Sequence, residues 1–222
     1  MRAWKILDKA SIPGSSSELS LNERGEELCI NVDGDLLMSS RMHTSEDALA
    51  TLALARLPAP ESARVLIGGL GMGFTLAAAL EVLGPKGQAV VRELVPAVVR
   101  WNEGVLGAVA GHPLKDPRSV IEVGDVGAAI RGKNKAWDSI MLDVDNSPRG
   151  LTRRKNDSLY SRPGLAATHK ALRPGGVLSV WSAEQDNAFT ARLKQVGFKV
   201  ETRIVRAHGK KGSKHIIWLA QR

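Results

Sequence analysis

Apolar and polar positions follow two different rhythms along the chain, and the change falls near residue 60. Upstream, "SELSLNERGEELCINVDGDLLMSS" carries two apolar runs, "LCINV" and "LLM", separated by Asp33-Gly34. An Asp-Gly pair between two such runs favours a tight turn, so this part reads as extended chain with a β-hairpin. "SEDALATLALARL" then shows helical apolar spacing, with Ser45 as its capping residue and acids in the first turn. Pro58 and Pro60 end that helix and mark the boundary.

Downstream the pattern alternates. Short, almost continuously apolar runs ("ARVLIG", "GQAVVREL", "SVIEVGD", "AWDSIMLDVD", "GGVLSVWSA") are separated by segments with helical spacing. Strands alternating with helices imply βαβ units, and continuous apolarity implies strands covered on both faces. "KVETRIVRAH" and "HIIWLAQR", joined by the polar "GKKGSK", predict an antiparallel hairpin at one sheet edge. The expected architecture is α/β, a doubly wound, mainly parallel sheet of seven strands. Residues 1–60 form a short hairpin-plus-helix extension and residues 61–222 a Rossmann-like domain.

Composition narrows the class. With 43% hydrophobic and 24% charged residues the 222-residue chain is an ordinary globular one. No apolar run reaches the 18 residues a membrane span needs, the first residues lack a cleavable apolar leader, and Cys29 is the single cysteine. A cytoplasmic protein away from membranes is expected. The five histidines, His43, His112, His169, His208 and His215, show no ligand spacing, so no metal is expected. Residues 1–60 carry a net −3 and residues 61–222 a net +11, with basic clusters at "RGLTRRK" and "RIVRAHGKKGSKH". Such patches suit nucleic acid, or are simply solvated surface. A homodimer is left open.

The chemistry concentrates in "RVLIGGLGMGFTLAAAL", where Gly69, Gly71 and Gly73 form G-x-G-x-G between a strand and a helix. Glycines there let backbone amides approach a ligand at the helix start, or merely let strand and helix pack closely. Glu93 ends the next strand, and its carboxylate can accept both hydroxyl protons of a ribose. Asp125 ends the third strand, placed for an adenine amine or for capping the helix that follows. Asp143 and Asp145 end the fourth. Phe74 stands where a nicotinamide fingerprint needs glycine, and the G-K-[S/T] of a P-loop is absent. A nucleoside without phosphates, S-adenosylmethionine or a relative, fits best.

On "VLIGGLGMG", "VRELVPAVVRWNE", "IEVGDV", "MLDVDNSP" and "LYSRPGLAATHKALRPGGVL" the chain resembles the spermidine synthase family within the class I methyltransferase fold. The resemblance implies a nucleoside held by Glu93 and Asp125, with Val126 beside them, and reaction next to Asp143, which would accept a hydrogen bond from an attacking amine. Asp145 is the second catalytic candidate. There are departures. Gly71 stands where the family carries an Asp that contacts the donor's amino group, Met38 replaces a glutamine, and Tyr160 is the single tyrosine where several usually grip a diamine. Three functions stay open: methyl transfer from S-adenosylmethionine to a small-molecule acceptor, aminopropyl transfer from its decarboxylated form, or a nucleic-acid-binding module with an inactive ligand fold.

Overall fold

The computed structural model describes residues 3–144, 157–208 and 211–222. The chain opens with β1 (Lys5–Ser11), β2 (Glu18–Arg24), β3 (Glu27–Val32) and β4 (Asp35–Ser39), a four-stranded antiparallel sheet in that order. The predicted hairpin is β3–β4, with Asp33 (φ 49°) and Gly34 (φ 94°) in the left-handed region that a tight two-residue turn requires. The extension is thus larger than the hairpin expected. β1 escaped notice because it is exposed along most of its length, so no alternation marks its sequence.

Helix α1 (Thr44–Leu54) follows, capped by the backbone at His43 with no side-chain cap. This corrects the assignment of Ser45 as a cap: Ser45 is inside the first turn and fully buried. β5 (Arg64–Gly68), α2 (Phe74–Val82), β6 (Gln88–Glu93), α3 (Pro96–Glu103), β7 (Ser119–Val123), α4 (Val126–Ile130) and β8 (Trp137–Leu142) come next. Then follow α5 (Asp157–Tyr160), α6 (Arg162–Ala171), β9 (Leu172–Ser182), α7 (Asn187–Val196), β10 (Lys199–His208) and β11 (Lys211–Gln221).

The second sheet runs β10-β11-β9-β8-β5-β6-β7. β5 through β9 pair in parallel, and β11 is antiparallel to both neighbours, which is the predicted edge hairpin. The basic tail is therefore a strand pair at the sheet edge, with Arg203 paired to Glu201. Successive strands run outward from β5 on one side, and the chain then returns to place β8 on the other. Such a reversal opens a crevice at the strands' carboxyl ends.

Two apolar cores cover the sheet. One joins Leu21 and Ile30 of the first sheet to Leu49 of α1 and Leu76 of α2; the other packs Phe189, Leu193 and Trp218. Burying side chains of this size stabilises the fold by about 1.5–3 kcal/mol each. The Trp218 indole N–H donates to Thr190 at 2.8 Å, so its burial leaves no polar group unmet. Tyr160 lies edge-on to Phe189 in this second core, away from the cavity described below.

Candidate functional site

A cavity of about 360 Å³ opens where β5 and β8 end. Its walls come from both sheets. Ile30, Leu37 and Met38 of the first sheet face Gly69, Glu93, Val126 and Asp143 of the second.

The glycine turn is held from three sides. Gly69 (φ 88°), Gly71 (φ 52°) and Gly73 (φ 87°) are all left-handed, a conformation side chains resist. A Cβ at Gly69 would lie 2.4 Å from the Asp143 carbonyl oxygen, and one at Gly71 would lie 2.5 Å from the Met38 sulfur. Asn102 of α3 donates to the Gly71 carbonyl at 2.8 Å. The turn's amides are partly committed inside the protein. Gly69 donates to the Arg92 carbonyl and Gly73 to that of Leu70, while Leu70 donates to Glu93.

Glu93 is the keystone of this end. It is buried, and its two oxygens accept from the Leu70 and Val95 amides, each at 2.8 Å. One carboxylate thus ties the glycine turn to the turn after β6. Burial pushes its pKa up, and those amide bonds pull it back. Glu93 also lines the cavity.

Asp125 is exposed and caps α4: Oδ1 accepts from the Gly127 amide at 2.9 Å, and Oδ2 pairs with Arg131 at 3.1 Å. The capping reading therefore holds, and its carboxylate also lines the cavity. Val126 is buried beneath the turn, with a methyl 3.0 Å from where a Cβ on Gly68 would be.

Asp143 follows β8 directly. Its amide donates to the Gly68 carbonyl at 3.0 Å, and its Oδ2 accepts from the Thr75 hydroxyl at 3.3 Å. Burial lifts its pKa to about 6, against the pull of the Thr75 hydrogen bond. Asp145 and the basic stretch 149–155 lie outside the described residues. The structure therefore brings Gly69, Gly71, Glu93, Asp125, Val126 and Asp143 onto one cavity, while Gly73 sits at the start of α2 behind it.

Sequence reasoning weighed Trp181 as a pocket or core residue and missed Glu46 and His215. Glu46 of α1 and His215 of β11 line the cavity together with Trp181. Trp181 packs edge-on to His215 with ring centres 4.7 Å apart, and its buried indole nitrogen has no hydrogen-bond partner among the described residues. An acid in the first turn reads as a favourable end charge, which hides any other role for Glu46.

No family model matches the chain. A putrescine N-methyltransferase of Nicotiana attenuata is 31% identical over 141 residues, spanning 61% of this chain and 36% of the relative. A spermidine synthase of Coffea arabica is 29% identical over 157 residues, spanning 68% of this chain and 47% of that protein. The chain thus spans from about a third to a half of the length of these curated relatives. Among solved structures, the spermidine synthase of Thermotoga maritima superimposes with a TM-score of 0.77 at 18% identity, covering 98% of this chain and 72% of that one. A probable spermidine synthase of Corynebacterium glutamicum gives 0.67 at 16% identity, covering 100% and 81%. The sheet order and the glycine turn define a methyltransferase-type Rossmann fold. With the four-stranded sheet ahead of it, the fold is that of the spermidine synthases on which it superimposes. Among the described residues, no helix is long and apolar enough to cross a membrane.

Proposed function

We propose that the chain is an S-adenosylmethionine-dependent transferase that methylates a small aliphatic amine. The carrying observation is one cavity lined by the glycine turn, Glu93 and Asp143 together. The residues present suit an adenosine-bearing donor. Glu93 offers lone pairs to ribose hydroxyls, Asp125 an acceptor to an exocyclic amine, and Gly69 and Gly71 leave space that any Cβ would fill. When bound, the donor supplies a carbon activated by a positively charged sulfur.

The protein's own part is positioning. Holding a nucleophile in line with that carbon removes much of the entropy of encounter. Asp143, raised to about 6, accepts the proton of an attacking amine near neutrality. The likeness to putrescine N-methyltransferases favours methyl over aminopropyl transfer. Where the family's Asp would reach the donor's amino group there is only a thioether against bare backbone. Aminopropyl transfer from the decarboxylated donor is the second reading, supported by the likeness to spermidine synthases.

Calorimetry with S-adenosylmethionine, its decarboxylated form and the thioether product separates the two. The carboxylated donor should bind at least tenfold more tightly. With putrescine as acceptor, Asp143→Asn should lower the transfer rate about a thousandfold, within the range for a lost proton acceptor, and leave donor affinity within about threefold. If neither donor binds, the reading falls; if only the decarboxylated one does, aminopropyl transfer replaces it.

A further inference from the structure

Glu46 lines the same cavity as Asp143, with little to offset its burial. It is 8% exposed, and a buried acid needs a cation or several hydrogen bonds. The Ser45 hydroxyl donates to its Oε2 at 2.5 Å. Among the described residues, no ion pair reaches Glu46 or Asp143. Thr75 bridges the two, its hydroxyl 3.3 Å from Asp143 Oδ2 and 3.4 Å from the Glu46 carbonyl oxygen. Two acids without a base in a shared low-dielectric space resist ionising together.

A chain of polar groups fixes Glu46 from behind. Ser45 Oγ lies 3.0 Å from His215 Nδ1, and His215 Nε2 lies 2.9 Å from Ser213 Oγ. Ser45 has one hydroxyl proton and gives it to Glu46. Nδ1–H therefore donates to Ser45, and Nε2 accepts from Ser213. That tautomer keeps the ring neutral, and burial also pushes the pKa of His215 down. The chain joins α1 to β11 across 170 residues of sequence.

We infer that Glu46 and Asp143 form a paired-carboxylate subsite that captures the acceptor as its ammonium ion, with Ser45 and His215 positioning Glu46. The inference rests on the transferase reading above and adds to it the charge state of the substrate. The other ionisable groups facing Glu46 are His215 on β11 and Asp47 on α1, the latter hydrogen-bonded to His43 at 2.7 Å. Burial, with Asp143 opposite, pushes the pKa of Glu46 to about 7. The empty pair thus retains a proton near neutrality, and an arriving cation displaces it.

The chemistry then balances. An ammonium nitrogen has no lone pair. Its N–H bond breaks as an O–H bond forms on one carboxylate, and the freed pair forms the new C–N bond. The C–S bond breaks with its electrons left on sulfur, and the positive charge ends on nitrogen. One product N–H proton passes to the second carboxylate, and both protons leave to solvent with the products.

Calorimetric titration of putrescine into the protein saturated with the thioether product, at pH 6.5 in buffers of different ionisation enthalpy, tests this. The wild type should release close to one proton per ligand. Glu46→Gln should release almost none and bind at least about tenfold more weakly, with thioether affinity unchanged. Glu46→Asp should restore part of the proton release. His215→Ala should weaken putrescine several-fold and shift the pH at which release is half-complete. Wild-type protein that binds the thioether but takes no putrescine, or releases no proton on taking it, overturns the inference. So does a Glu46→Gln variant that behaves like wild type. Failure of both donors to bind would instead overturn the transferase reading and leave this result to be read on its own.

Discussion

The two ends of the cavity are made in different ways. The end proposed to hold the donor is backbone: a turn of left-handed glycines, locked by one buried carboxylate accepting from two amides. The end proposed to take the acceptor is side chains: Glu46 from α1, Asp143 after β8, Trp181 from β9 and His215 from β11. Backbone sites tolerate little, because each atom is fixed by the fold that surrounds it. Side-chain sites can be rewritten one residue at a time. The difference also sets how far a single substitution should reach.

Gly69→Ala should have the largest effect. It forces a Cβ to within 2.4 Å of the Asp143 carbonyl oxygen at a φ of 88°. Left-handed strain in a non-glycine residue and an overpacked contact each cost about 1–3 kcal/mol. A loss of about 3 kcal/mol or more in urea unfolding is expected, together with loss of donor binding. Because the clash is with the segment after β8, both ends of the cavity should be damaged at once. An unchanged unfolding midpoint would show that the turn is not held against β8, and the contrast between a rigid and an adaptable end would collapse.

The donor end was legible in the sequence and most of the acceptor end was not, for one reason. The turn, Glu93, Asp125 and Asp143 all sit at strand ends, and strand ends can be counted from the apolar runs. Glu46 and Ser45 looked like ordinary first-turn residues; only the packing of α1 against the sheet turns them inward. His215 faces Ser45 through a contact 170 residues apart, which no local pattern encodes. β1 was lost for a related reason, since an exposed strand held by its neighbour β2 has no need of alternating residues. At Asp125 both readings were on the page from the start, and the structure shows that capping and cavity lining coexist.

Melting curves of Glu46→Gln against wild type probe the acceptor end by pH, with a smaller effect. In the folded protein the Glu46 pKa is raised from 4.5 to about 7. A raised carboxylate pKa means the folded state holds a proton that the unfolded chain has released. Relative to the glutamine variant, wild type therefore loses stability as pH climbs from below 4.5 through about 7. The variant's melting temperature should gain on wild type by several degrees across that window, given roughly 2–4 °C for each kcal/mol in a chain of this size. A gap that stays constant with pH would mean that Glu46 ionises freely, and the acceptor end would lose its distinguishing charge.

The smallest effect is expected at Asp125, where the two kinds of construction meet, because one carboxylate serves both the backbone and the cavity. Removing the cap with Asp125→Ala should lower stability by about 1 kcal/mol. The Arg131 pair adds little to this, since both partners are about half exposed. Asp125→Ser keeps a capping oxygen for the Gly127 amide, so its stability should stay within about 0.5 kcal/mol of wild type. It cannot, however, offer a second oxygen to an adenine amine, and donor affinity should fall about tenfold, the loss of one good hydrogen bond to a charged acceptor. Serine and alanine variants that lose donor affinity only in proportion to stability would assign Asp125 to α4 alone. The donor end would then rest entirely on the glycine turn and Glu93.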